Sequence, residues 1–251
     1  MKTLIGVIAA LTLAITGCTS SSDERVVRAA VASDLRFAFP EIIELVHTEH
    51  PTIDVRVTYG SSGQFMTQIL NGAPFDLYLS ADEAYPAIIV DEGFAAESEL
   101  FRYARGRLVV WNPDASAKPP ALEDVLDARQ IALANPRHAP YGRAALQALT
   151  NSDLLPAVED RLVFGENVAQ AVEFAQSGTA DVALIAMSLV IEGPVANVGA
   201  WTEIPQELFD PLEQGGVIMT AAADIAAARI VRDVLLSPAG KQVLATYGFV
   251  E

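Results

Sequence analysis

The sequence is short of the residues that most often staple, ligate or catalyse. Among 251 residues there is a single cysteine, Cys18, and three histidines, His47, His50 and His138. One thiol cannot form an internal disulfide, so an exported domain built from this chain must be held by its core alone. Basic residues are scarce too. Sixteen Lys plus Arg against 32 Asp plus Glu leave a formal net charge of −16, which argues against nucleic acid and against anionic membrane surfaces as partners. That balance also provides no long-range field to draw an anion in, so any bound anion must be held by local dipoles. The one long apolar run, Leu4 to Ile15, falls short of the about 20 residues that span a bilayer. His47 and His50 lie three apart on a predicted helix with no third ligand beside them, a solvated face rather than a site for a bare metal cation.

What is present begins with a targeting signal. Lys2 precedes the apolar run, which ends in Ile15-Thr16-Gly17-Cys18, a small-residue cleavage site. Residues 1–18 therefore read as a signal peptide and residues 19–25 as a polar tether containing Ser20-Ser21-Ser22-Asp23-Glu24. Ile-Thr-Gly-Cys resembles the lipobox of bacterial lipoproteins, which implies a lipid on Cys18 and a membrane anchor at that point only. The other reading is a plain secretory signal with an incidental cysteine. With 51% apolar residues, the mature chain can fill one large domain or two modest lobes.

Strands and helices alternate from Val26 onward. Val26–Val31, Ile53–Tyr59 and Phe75–Leu79 read as strands, each followed by a helical pattern, and a second round starts at Leu108–Trp111 and continues through Gln130–Ala134, Arg161–Phe164 and Asp181–Ala186. This is the signature of α/β lobes with mostly parallel sheets flanked by helices. Pro40 is expected to break or kink the first helix. Val217–Met219 is a late strand after Gln214-Gly215-Gly216, followed by predicted helices over Ala222–Leu236 and from Pro238 to Tyr247. No internal repeat is visible in the residues.

The chemistry gathers at strand-to-helix turns. Val55 to Gly63 runs a strand into Gly60-Ser61-Ser62-Gly63 and then a helix, whose first N–H groups and dipole suit an anion. Ser33, Tyr141-Gly142 and Asn167-Val168 occupy equivalent turns. Two turns fall in each round of alternation, so a cleft between lobes would present hydroxyls and backbone N–H groups from both sides.

In this order and spacing, Ala32-Ser33-Asp34-Leu35, Gly60-Ser61-Ser62-Gly63, Asn71-Gly72-Ala73-Pro74-Phe75-Asp76-Leu77 with Ser80-Ala81-Asp82, Asn135-Pro136 through Pro140-Tyr141-Gly142, Glu166-Asn167-Val168, Pro211 to Gly216 and Tyr247-Gly248-Phe249 resemble the substrate-binding proteins of bacterial molybdate ABC transporters. The resemblance runs from about Val27 to the C-terminus. It implies a two-lobed periplasmic-binding-protein fold of type II whose chain crosses twice between lobes: residues 26–104 plus 221–251 as lobe 1 and 105–220 as lobe 2. It further implies a monomer outside the cytoplasmic membrane that binds molybdate or tungstate without any cofactor and delivers it to an ABC permease with its ATPase. Carried over, Ser33 and Ser62 supply hydroxyls and Tyr141 and Val168 supply backbone N–H groups, with Asp34 through its backbone and Ser61 as further candidates. Ala186 departs from relatives that place a tyrosine hydroxyl in that strand.

Two alternatives stand beside this expectation. Another tetrahedral oxyanion, such as sulfate, chromate or phosphate, suits the same donors, although donors alone disfavour a protonated anion whose O–H meets no acceptor. An exported serine hydrolase would need Ser61 or Ser62 beside a base. Only His138 lies in a turn, and the G-x-S-x-G spacing of a nucleophile elbow is missing.

Overall fold

The computed structural model describes residues 25–251 apart from 115 and 117. The expected signal peptide, nearly all of the tether and the proposed lipidation site at Cys18 lie outside the described residues.

The chain starts with β1 (Arg25–Ala32), α1 (Ala38–Glu49), β2 (Ile53–Gly60), α2 (Ser62–Leu70), β3 (Leu77–Ser80), α3 (Ala84–Asp91) and β4 (Leu100–Gly106). It then crosses to β5 (Leu108–Asn112), β6 (Ile131–Ala134), α4 (Pro140–Asn151), α5 (Leu155–Val158), β7 (Leu162–Gly165), α6 (Val168–Gln176), β8 (Val182–Ala186) and β9 (Ala200–Glu203). Finally it returns through β10 (Leu212–Ile218) to α7 (Ile225–Leu236) and α8 (Pro238–Thr246). Two five-stranded sheets result, ordered β2-β1-β3-β10-β4 and β7-β6-β8-β5-β9. In each, one strand runs against the other four: β10 in the first sheet and β5 in the second. The two lobes thus share one topology that the residues alone did not reveal.

The expected lobe boundaries shift at both crossings. Arg105 and Gly106 end β4, and β10 pairs antiparallel with both β3 and β4, so residues 212–218 complete the first sheet rather than the second lobe. The expected strand over Val217–Met219 starts earlier, at Leu212, so Gly215 and Gly216 sit in mid-strand, where Leu79 and Phe101 occupy the room a side chain at 216 would need. The crossings therefore fall at Arg107 and between Glu203 and Leu212.

Parallel strands covered on both faces must be apolar throughout. Accordingly β3, β6 and β8 are buried at every position, with Trp111 and Tyr78 the largest fully buried side chains. Each buried aromatic polar atom is paired: Trp111 Nε1 donates to the Val198 carbonyl at 2.9 Å, and Tyr78 Oη donates to the Ser62 carbonyl at 2.7 Å. That second bond ties the start of α2 to the sheet beneath it.

Several expected boundaries move for local reasons. Pro40 neither breaks nor kinks α1, because it lies in the first turn, where its missing N–H has no intrahelical partner to lose. The helix expected from Arg143 begins at Pro140, a favoured first helical residue. The one expected from Ala222 waits for Asp224, whose carboxylate caps it by accepting from the Ala227 N–H at 2.8 Å. β4 and β9 carry no sustained alternation, since exposure falls on Leu100 and Arg102 at one end of β4 and on the adjacent Thr202 and Glu203 in β9.

Candidate functional site

Four strand-to-helix turns, two from each lobe, close around one small cavity. Ala32 ends β1, with Ser33 and Asp34 next; Gly60 ends β2, with Ser61 and Ser62 next; Ala139, Pro140 and Tyr141 open α4; Asn167 and Val168 open α6; Ala81 completes the wall. Ser33, Asp34, Ser61, Ser62, Tyr141 and Val168 are all buried. Neither Arg137 nor Arg143 is among the lining residues, and nothing in the lining carries a positive charge. Ala186 is buried at the end of β8 and does not reach the cavity.

How each turn leaves a donor free follows from helix geometry. The first N–H groups of a helix lack internal partners. In α6 the Asn167 side chain accepts from Ala169 N at 3.0 Å and Gln170 N at 3.2 Å, leaving the Val168 N–H unspent. In α4 the first residue is a proline, so the first available N–H belongs to Tyr141. That turn needs glycine next, since a β-carbon at Gly142 would stand 2.1 Å from the Ala134 carbonyl oxygen. In α2 Ser61 is the N-cap by position, but its side chain bonds no N–H of the helix. Among the described residues the N–H groups of Ser62, Tyr141 and Val168 have no protein acceptor.

The two hydroxyls differ. Ser62 Oγ accepts the Ala81 N–H at 3.0 Å, which turns its own proton away from that bond. Among the described residues Ser33 Oγ has no protein partner. Ser61, by contrast, is committed elsewhere: its Oγ donates to the His138 carbonyl at 2.7 Å and lies 2.9 Å from His138 Nδ1. It therefore acts between the lobes, not as a free ligand donor. Gly63 N donates to the same carbonyl at 2.9 Å, Gln64 reaches Glu166 at 2.6 Å, and Arg143 bonds Tyr85 Oη at 2.7 Å while pairing with Asp82. These contacts hold the cleft shut.

Asp34 is the departure from expectation. Its carboxylate, rather than pointing to solvent, is buried against Gln214 Nε2 at 2.5 Å, with the Tyr141 hydroxyl also in reach of Gln214 at 3.3 Å. Burial raises its pKa to about 6, opposed by hydrogen bonds from Gln214 and Tyr141 and then by the N–H groups of Asp34 and Leu35. The Asp34 N–H expected to face the ligand thus sits beside its own carboxylate. Ser188 Oγ, from the other lobe, donates to the Asp34 carbonyl at 2.7 Å. The Asp34–Gln214 pair is not legible in the sequence because its members lie 180 positions apart; the Ser61–His138 and Arg143–Asp82 contacts escape for the same reason. Among the described residues no cluster of His, Cys, Asp and Glu could hold a metal ion, and no helix is long and apolar enough to cross a membrane.

Donors without a counter-charge, converging from two lobes, replace the hydrogen bonds that a fully ionised tetrahedral anion loses with its water. Comparison with known proteins points the same way. The molybdate-binding protein ModA of Rhodobacter capsulatus is 39% identical over 88% of this chain and 87% of its own length. ModA of Azotobacter vinelandii is 34% identical over 96% of each. The solved periplasmic molybdate-binding protein of Azotobacter vinelandii superposes with a TM-score of 0.83 at 29% identity, covering 90% of this chain and 99% of that one. A family model for bacterial extracellular solute-binding proteins matches residues 27–250, and to that family this chain belongs.

Proposed function

We propose that the protein binds molybdate, and with it tungstate, outside the cytoplasmic membrane and hands it to an ABC permease driven by its ATPase. The observation that carries this reading is the convergence of four helix-start turns, all without a cation, on one buried cavity. Its ligands are the hydroxyls of Ser33 and Ser62 and the N–H groups of Ser62, Tyr141 and Val168. The relatives named molybdate-binding proteins support the choice of anion. A hydrolase is disfavoured, since Ser61 Oγ is spent on the His138 carbonyl and the family is one of solute carriers. The carrier acts as a monomer, tethered through a lipid on Cys18 where the lipobox-like residues stand.

Calorimetric titration of the protein with molybdate, tungstate, sulfate, phosphate and chromate tests the site. Molybdate and tungstate should bind with similar affinity and sulfate far more weakly; equal affinity for sulfate and molybdate would reject the assignment. For the anchor, Cys18→Ala should abolish processing at that residue and recovery with detergent-extracted lipoproteins. Wild-type protein found wholly soluble, with a different first residue, would reject it.

A further inference from the structure

Asp34 is one of the residues around the same cavity as the donors, and its Oδ1 is buried without any hydrogen-bond partner. Gln214 Oε1, on the residue that grips Oδ2, is equally buried and equally unpaired. The Asp34–Gln214 pair therefore holds two acceptors with no hydrogen to share, at and just behind a wall otherwise built from donors. Buried acceptors are costly to leave unsatisfied. One added proton would relieve the shortage.

We propose that Asp34 meets the oxyanion as a neutral carboxylic acid, protonated on Oδ1, so that the closed cleft takes up one proton together with one dianion. This rests on the oxyanion reading above and adds to it a co-bound proton. Gln214 stands beside Asp34 within the same lobe, whereas Tyr141 and Ser188 reach it from the other; opening the cleft would withdraw those two and let water return the carboxyl toward its ordinary pKa of about 3.9. Closure completes the burial, and the anion brings negative charge to the same cavity. A like charge within about 4–6 Å disfavours ionisation further.

Hydrogen bonds from Gln214, Tyr141 and the N–H groups of Asp34 and Leu35 favour the ionised form, but burial outweighs them and no cation adds to them. The titratable groups that face the carboxyl are the phenols of Tyr103 on β4 and Tyr141 on α4, both held far above their usual range by burial first and by Asp34 itself next. Gln214 from β10 is neutral, and the Ser188 hydroxyl engages only the backbone of Asp34. The nearest basic residue in sequence, Arg36, turns outward to Glu173 on α6 at 3.3 Å. Burial, set against those hydrogen bonds, already lifts the Asp34 carboxyl to about 6 before any anion is considered. Neutralised, it becomes a sixth donor beside the two hydroxyls and three N–H groups.

The test is calorimetry of molybdate binding to the full protein at pH 7.5 in two buffers of different ionisation enthalpy, repeated across pH 6 to 8.5. Wild-type protein should take up close to one proton per anion, and its affinity should fall by up to tenfold per pH unit at the alkaline end. Asp34→Asn, which carries a permanent donor, should take up none, show a flat pH profile and bind more tightly than wild type at pH 8.5. Binding with no buffer dependence in wild type overturns the proposal whether or not the variant folds. Equal uptake by wild type and Asp34→Asn overturns it by placing the proton elsewhere. Tighter binding of hydrogen phosphate than of sulfate also overturns it, since an ionised Asp34 would then be accepting the anion's own O–H. Failure of every anion to bind removes the oxyanion reading and this inference together, whereas binding without proton uptake removes this inference alone.

Discussion

Gly106 lies so close to Tyr141 that a β-carbon at residue 106 would stand 2.1 Å from the Tyr141 hydroxyl oxygen and 2.8 Å from Gln214 Nε2. Gly106 ends β4 at the first crossing and Tyr141 belongs to the other lobe, so this contact exists only when the lobes meet. Gly106→Ala should therefore act on closure. We expect molybdate affinity to fall by tenfold or more while the melting temperature of the unliganded protein stays within a few degrees. Unchanged affinity would mean that the ring can yield at no cost.

Ser33 and Ser62 separate binding from stability. Each hydroxyl given to a charged acceptor is worth about 1.5–3 kcal/mol, so Ser33→Ala and Ser62→Ala should each weaken molybdate binding by roughly 10- to 150-fold. Only Ser62→Ala should also lower stability, by about 1–3 kcal/mol, because it orphans the buried Ala81 N–H. Titration and urea unfolding of both variants, side by side, check the pair. Two variants that bind like wild type would place the site elsewhere.

Across the mouth of the cleft Arg143 meets Asp82 and Tyr85, its guanidinium 5.4 Å from the Tyr85 ring centre. Partly exposed pairs contribute little, about 0.2–1 kcal/mol. Arg143→Gln should accordingly speed molybdate release by no more than about fivefold and leave the association rate nearly unchanged. Stopped-flow dissociation decides it, and a loss of a hundredfold would make Arg143 a ligand rather than a clasp.

Asp224 sets an acid limit on the first lobe. Its carboxyl is held down at about 2 by the Arg25 guanidinium first and the Ala227 N–H next, with Arg25 Nε at 2.6 Å. A carboxyl depressed in the fold stabilises it above its unfolded pKa of about 3.9 and loses that contribution as pH falls toward 2. Asp224→Ala should lower stability by about 1 kcal/mol at pH 7 through the lost cap and flatten the decline between pH 4 and pH 2. Thermal melts over that range would show parallel curves if the residue is inert.

The sequence was most legible where function depends on backbone. The four turns could be read because helix starts announce themselves through caps, prolines and short turn motifs; the family resemblance singled out Ser33, Ser62, Tyr141 and Val168 within them, and all four line one cavity. What stayed hidden was every pairing between distant side chains. Asp34 looked like a carboxylate to be turned aside, yet Gln214 holds it inside; Ser61 looked like a ligand, yet His138 claims it. Likewise β10 was expected only from Val217, because only the gap between β3 and β4 draws Gly215 and Gly216 into the strand.

That gap sets an order on how the molecule is assembled. The second sheet draws all its strands from one continuous stretch, Leu108 to Glu203, and can be completed as soon as that stretch is available. The first sheet cannot, for β4 touches the rest only through β10, which arrives last. Until then β3 presents a bare edge, the kind of surface that recruits stray strands, and closing it requires bridging the whole second lobe, a slow step for a chain. A protein cut after Glu203 would keep one finished half and lose the middle of the other, and the anion with it, since Ser33 and Ser62 stand on the half left unfinished.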